Sequence, residues 1–217
     1  DYFEVLDRLE AALEHKLSRP VVPSAVEIDS KNFKISANTE QADNTAHNEG
    51  PVKYAFDKNP NTIWHSSYNP MFTVSADNPA EITIDMGKSY TINQFSYLQR
   101  PAGGNNGKVQ KYNLYVKSNQ ADKWKKIVTD GTFADKQELQ KVTFDEVEAQ
   151  YVKFEVTQGF GNFATAAELA VYQKASDFSK LQEAMDEAEK LERTKYLEVY
   201  YSNIDQLCEE AEELLKD

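Results

Sequence analysis

Cysteine is nearly absent: Cys208 stands alone in 217 residues. No disulfide can form within the chain, and no zinc site can be assembled from thiolates. Many secreted bacterial proteins also lack disulfides, so this absence does not assign a reducing compartment. Hydrophobic runs are short, and none approaches the ~18 residues needed to span a membrane as a helix. Positive charge is scarce as well. Lysine and arginine number 24 against 36 acids, a net charge of −12. Nonspecific attraction to nucleic acid or to an anionic membrane is therefore disfavoured. The chain also has no Gly-x-Ser-x-Gly elbow, phosphate-binding glycine loop or His-Glu-x-x-His helix, so it carries no motif for those catalytic chemistries. Catalysis is not expected of it. The sequence begins at Asp1 without a methionine, and the expectation is a piece cut from a longer protein.

What is present is distributed unevenly. Residues 177–217 hold 13 acidic and 5 basic side chains, so most of the net charge sits there and the middle of the chain is close to neutral. In residues 1–19, Phe3, Leu6, Leu9, Leu13 and Leu17 recur at helical steps, and Pro20 stops the run. From Ala25 onward the pattern becomes one of short, β-branched and aromatic runs. Strands are expected at Glu81–Met86, Ile92–Leu98, Val109–Lys117, Trp124–Val128, Leu139–Phe144, Tyr151–Thr157 and Glu168–Tyr172. Turn signals separate them, and no helical run intervenes. The 12 tyrosines and 11 phenylalanines suit such strands. After Lys174 two apolar stripes return, Leu181 to Leu191 and Ile204 to Leu214, as in an antiparallel helix pair. The predicted fold is mainly β: an antiparallel sandwich over 24–174, a helix over 1–19, and an α-helical hairpin over 177–217.

Two kinds of chemistry are interleaved between Tyr54 and Pro70. Asp57-Lys58-Asn59-Pro60-Asn61-Thr62 sets short oxygen-bearing side chains around a proline. Such a run makes a tight turn, and its carboxylate and carbonyls can converge on a hard cation. Trp64-His65-Ser66-Ser67-Tyr68 follows, with an imidazole three residues before an aromatic. A flat apolar face beside a directional hydrogen-bonding group suits a sugar ring. His65 can equally be a packing or surface histidine, whereas Trp64 reads as a core anchor. Arg100 follows a strand and precedes Pro101 and the loop Gly103-Gly104-Asn105-Asn106-Gly107. There it can fork two hydrogen bonds to adjacent hydroxyls, or lie solvated at a strand end. Asn105 offers both a donor and an acceptor, and Asn106-Gly107 reads as turn chemistry.

The run Ala-Phe-Asp-x-Asn-Pro-Asn-Thr-Ile-Trp-His-Ser, with Ala166-Ala167-Glu168-Leu169 far downstream, resembles the discoidin fold of coagulation factor type C domains. It resembles more closely the bacterial carbohydrate-binding modules of family 32. The likeness covers residues 24 to 174. It implies a jelly-roll sandwich of the galactose-binding kind, a structural calcium and a shallow sugar site on loops. The side chains of Asp57 and Glu168, the hydroxyl and carbonyl of Thr62, and the carbonyls of Tyr54, Asn59 and Ala167 are the implied metal ligands. Galactose-binding members imply His65, Tyr68, Arg100 and Asn105 at the sugar, with Glu49 from an upstream loop. They also imply an aromatic from the last loop, for which glycine-flanked Phe160 is chosen over Phe163. The sequence departs from the pattern at Tyr68, often a tryptophan, and at Gln99-Arg100, usually written Pro-Arg. It also lacks the disulfide of the coagulation-type members. The segment after Lys174 is similar to FIVAR-type helical repeats of bacterial surface enzymes.

These residues lead to one expectation about role. The chain should be a non-catalytic module that binds glycans ending in galactose, GalNAc or GlcNAc. It should hold the catalytic module of a secreted or cell-surface bacterial glycosidase near them. The competing expectation is a structural spacer or protein-interaction module whose sugar site has degenerated.

Overall fold

The computed structural model describes residues 25–101 and 104–175. The helix expected over 1–19 and the hairpin expected over 177–217 lie outside the described residues. All of those described but Ala175 fall in one compact unit, Pro23–Lys174, and no α-helix occurs among the described residues.

The long strands are β5 (Ala80–Leu98) and β8 (Gln140–Gly159). Each joins two runs that the sequence separates. The pairing register of β5 with β8 shifts between Asp85 and Tyr90, around Gly87. Gly87 has φ +82°, a conformation that costs glycine little. A turn signal in the sequence therefore becomes a bend within a paired strand. Along the first half of β5, Ala80, Ile82, Ile84 and Met86 are buried while the residues between them are less so. That period of two gives the strand one core face and one outer face.

Around this pair stand β1 (Ala25–Glu27), β2 (Lys34–Ala37), β6 (Val109–Lys117), β7 (Lys125–Thr132) and β10 (Glu168–Lys174). They form a seven-stranded sheet in the order β1-β10-β5-β8-β6-β7, with β2 also pairing with β5. All of its ladders are antiparallel. β1 pairs with the end of β10, Ala25 opposite Lys174. A smaller sheet joins β3 (Glu49–Gly50), β4 (Ile63–His65) and β9 (Thr165–Ala166). The bent halves of β5 and β8 enclose one core, which includes Ile82, Ile84, Phe95, Leu114, Phe154 and Val171. Fully burying a side chain of this size stabilises by about 1.5–3 kcal/mol. The result is the expected antiparallel β-sandwich. One pairing departs from that expectation: β3 runs parallel to β4, because the segment containing Glu49 is tied into the small sheet and is not a free loop.

Candidate functional site

The small sheet places the first two site residues. Trp64 is fully buried and its indole N–H donates to the Thr39 carbonyl at 3.1 Å, so β4 is pinned by its middle residue. His65 comes next in β4, opposite Thr165 of β9, while Glu49 of β3 pairs with Ile63. Both are largely buried, His65 at 4 % and Glu49 at 8 % exposure. Ser66 donates its N–H to the Ala164 carbonyl at 2.8 Å, and its hydroxyl accepts from the Ala164 N–H at 3.0 Å. So fixed, the Ser66 carbonyl accepts the hydrogen of His65 Nδ1 at 2.6 Å. Burial holds the His65 pKa below its ordinary value, assisted by the Arg100 charge and opposed by the Ser66 carbonyl and by Glu49. The ring is therefore neutral near pH 7, and Nε2 is an acceptor.

Two rings hold this imidazole. Tyr68 meets it edge-on at 5.3 Å and 89°, and Phe163 lies 5.4 Å away at 58°. The Tyr68 hydroxyl donates to Glu49 Oε1 at 2.8 Å and accepts from the Asn44 amide at 3.0 Å. Gln41, absent from the expected set, supports the turn by accepting the Tyr68 N–H at 3.1 Å and donating its own backbone N–H to the His65 carbonyl. Tyr68 is thus a tethered wall of the cleft.

Arg100 closes the other side. Its Nη1 donates to the Asn106 carbonyl at 2.9 Å, while Nε is buried without a hydrogen-bond partner among the described residues. Gly104 lies against the guanidinium, and a Cβ there would come within 2.6 Å of Nη2. At Gly107 the backbone has φ +85° and a Cβ would meet Thr165 Cγ2 at 2.3 Å. Glycine at both places lets this loop fold down onto β9.

These parts enclose a cleft of about 310 Å³ lined by Glu49, His65, Tyr68, Arg100, Gly104, Asn105, Asn106 and Phe163. Five of the six expected ligand-binding residues line it together. The sixth, Phe160, is 47 % exposed but does not line the cleft. It is replaced there by Phe163, because the turn at Phe160–Asn162 carries Phe160 outward and returns Phe163 toward His65. Asn106 also lines the cleft, beyond the turn role expected of it. Chemically the cleft offers a carboxylate, an imidazole acceptor, a guanidinium donor and asparagine amides on one small surface, a set matched to adjacent hydroxyls.

The implied metal ligands lie elsewhere, at the turn before β4 and the start of β10. Thr62 Oγ1 donates to Asp57 Oδ2 at 2.7 Å and also contacts the Asn59 carbonyl at 2.9 Å. Glu168 Oε1 is buried with no hydrogen-bond partner among the described residues. Burial, then the negative charge of Asp57, pushes the Glu168 pKa up to about 7. The Lys58 ammonium meets Glu27 and leaves that oxygen unsatisfied. The Tyr54 hydroxyl donates to Asp43, so only its carbonyl could face a cation. Among the described residues no three His, Cys, Asp or Glu side chains converge. Hydroxyl and carbonyl oxygens would have to complete a shell around the two carboxylates. An orphaned buried carboxylate oxygen in an all-oxygen donor set fits calcium.

The F5/8 type C domain family model matches residues 34–169. The chain belongs to the F5/8 type C domain family. Among solved members, this domain is 38 % identical to CpGH89CBM32-5 from Clostridium perfringens, in complex with GalNAc-β-1,3-galactose. The match covers 67 % of this chain and 99 % of that one, with a TM-score of 0.59. The family 32 carbohydrate-binding module of C. perfringens NanJ, in complex with galactose, is 29 % identical. It is matched over 69 % of this chain and 99 % of its own, with a TM-score of 0.58. The A type blood N-acetyl-α-D-galactosamine deacetylase of Flavonifractor plautii is 36 % identical over 125 residues, 57 % of this chain. This chain spans only 15 % of that enzyme's length. The likeness to these solved structures is thus to carbohydrate-binding modules, and the segments expected to be helical, residues 1–19 and 177–217, lie outside the residues that the family model matches.

Proposed function

We propose that this F5/8 type C domain is a non-catalytic carbohydrate-binding module that takes a terminal galactose, GalNAc or GlcNAc. The observation that carries the reading is the convergence of Glu49, His65 and Arg100 on one cleft. A sugar hydroxyl donates and accepts, so neighbouring hydroxyls can give hydrogens to Nε2 and the carboxylate while accepting from the guanidinium. Hydrogen bonds to charged groups are worth about 1.5–3 kcal/mol each, and two of the three partners are charged. The relatives solved with galactose and with GalNAc-β-1,3-galactose support the sugar class.

Calcium would be held by Asp57, Thr62 and Glu168, with carbonyls from Tyr54, Asn59 and Ala167. When bound it offsets the paired negative charges and stiffens the turn before β4. It takes no part in contacting the sugar. The wider role is to keep the catalytic module of a secreted multimodular bacterial glycosidase close to host glycans. A weak single site gains there through effective concentration.

The test is a glycan array probed with the full chain in calcium, followed by calorimetry on the best ligand. Terminal galactose, GalNAc or GlcNAc should bind, and His65→Ala should abolish the signal. Silence across the array from folded, calcium-loaded protein would remove the sugar reading.

A further inference from the structure

The outer face of β6, β7 and β8 carries a feature that the cleft does not use. Residues 108–126 contain six lysines and a single acid, Asp122, in a chain whose net charge is −12. The strand period puts Tyr112, Leu114 and Val116 in the core and turns Tyr115 and Lys117 outward. Pairing brings Tyr115 opposite Lys153 of β8 and Lys117 opposite Tyr151, with Lys126 of β7 on Tyr115's other side.

Rings and ammonium groups alternate across this face. Lys117 Nζ lies 4.9 Å from the ring centres of both Trp124 and Tyr151. Lys153 Nζ sits 4.6 Å from Tyr115, and Lys126 Nζ 5.1 Å from the same ring. Lys153 is neutralised by Glu81 at 2.8 Å. Lys117 and Lys126 have no carboxylate partner among the described residues; Lys117 donates only to the Gln120 carbonyl at 2.6 Å. Beneath them, Glu155 accepts from Asn113 at 2.7 Å and Tyr115 at 3.0 Å, which fixes the tyrosine.

We propose that this face, around Tyr115, Lys117, Trp124, Lys126, Tyr151 and Lys153, is a second binding surface for an anionic polysaccharide. Its ligand would be a sugar chain bearing carboxylates or sulfates. A lysine on open surface loses rotamer freedom when it grips an anion. Here the ammonium groups already rest on aromatic faces, which stabilise their charge and position. The occupant argued for is a sugar chain and not an acidic protein, because the rings on this face are half-buried and already covered by ammonium groups. They offer no deep aromatic anchor of the kind that protein hot spots use. What remains open to a partner is charge beside flat ring faces, which suits an anionic sugar. The surface is also separate from the cleft. β6 begins beside Gly159 and ends beside Tyr151, a span of roughly 26 Å at about 3.3 Å per residue.

Heparin, hyaluronate, polyglutamate, single-stranded DNA and neutral dextran, each titrated into the full calcium-loaded chain, provide the test. Heparin or hyaluronate should bind, weaken as salt rises, and be indifferent to added galactose. Lys117→Gln with Lys126→Gln should reduce that binding about tenfold or more without moving the melting temperature. Trp124→Ala should also weaken it, whereas His65→Ala should leave it intact. No binding of either polysaccharide at low salt would overturn the proposal. So would polysaccharide binding that survives the double lysine variant, or equal binding of polyglutamate and DNA. None of those results bears on the cleft, which is read with neutral glycans.

Discussion

His65 Nδ1 lies 2.6 Å from the carbonyl oxygen of Ser66, and a carbonyl only accepts, so that nitrogen carries the hydrogen. The neutral ring can then present only a lone pair at Nε2. Ser66 is itself locked to Ala164, which makes the tautomer a property of the fold and independent of any ligand.

A pH dependence follows from that tautomer. Burial depresses the His65 pKa below 6.5, so the acceptor persists at neutral pH and is lost as pH falls through the depressed value. Protonation turns Nε2 into a donor and adds positive charge beside Arg100. Galactose affinity measured by calorimetry from about pH 8 down to about pH 5 should hold level and then drop. The same group adds stability that is present above the unfolded pKa and lost on acidification. Affinity that rises in acid would show that the sugar accepts from this ring.

Adjacent residues of β4 should respond in opposite ways. Trp64 is fully buried, and Trp64→Ala should destabilise the domain by about 3–5 kcal/mol. His65 borders the cleft, and His65→Ala should fold while losing about 1–3 kcal/mol of sugar binding. Thermal melts paired with calorimetry separate the two. An unstable His65→Ala beside a stable Trp64→Ala would reverse the two roles.

Tyr68→Phe keeps the ring against His65 and removes only the hydroxyl that links Glu49 to Asn44. The melting temperature should barely change. Sugar affinity should fall by about 0.5–1.5 kcal/mol, because Glu49 loses the partner that orients it. Unchanged affinity would mean that Glu49 takes no part in recognition.

Glu168 supplies a test of the metal. Its folded pKa, about 7, lies above the ordinary 4.5. Without metal its contribution is therefore fully present below the unfolded value and is lost as pH rises through about 7. Chelated protein should melt at a lower temperature near pH 8 than near pH 6. Calcium should abolish that trend and raise the melting temperature at the higher pH. Identical curves with and without calcium at both values would remove the metal.

Much of the sandwich is legible in the sequence because alternation survives into burial, as along Ala80–Met86. The joined strands β5 and β8 are not. In β5 a glycine such as Gly87 is the same signal whether the chain reverses or merely bends, and in β8 the joint falls in the acidic run Asp145-Glu146-Val147-Glu148, which reads as a loop. The cleft residues were reachable through spaced motifs. Their supports were less so: Gln41 and Asn44 sit in a polar loop where nothing local distinguishes a brace from a solvated amide. That Phe163 and not Phe160 lines the cleft was hidden for a related reason. Flanking glycines mark a ring as exposed, but exposure does not say toward what. Only the return of the chain from Asn162 to Ala164 decides that.

Ala25 stands opposite Lys174, and β10 runs from Glu168, beside Leu98 near the cleft loop, to that point. Six steps of about 3.4 Å separate the two ends by roughly 20 Å. The polypeptide thus enters and leaves the sandwich side by side, at the pole remote from the cleft. A pull applied to the two ends of this unit would load the β1–β10 seam before it reached His65.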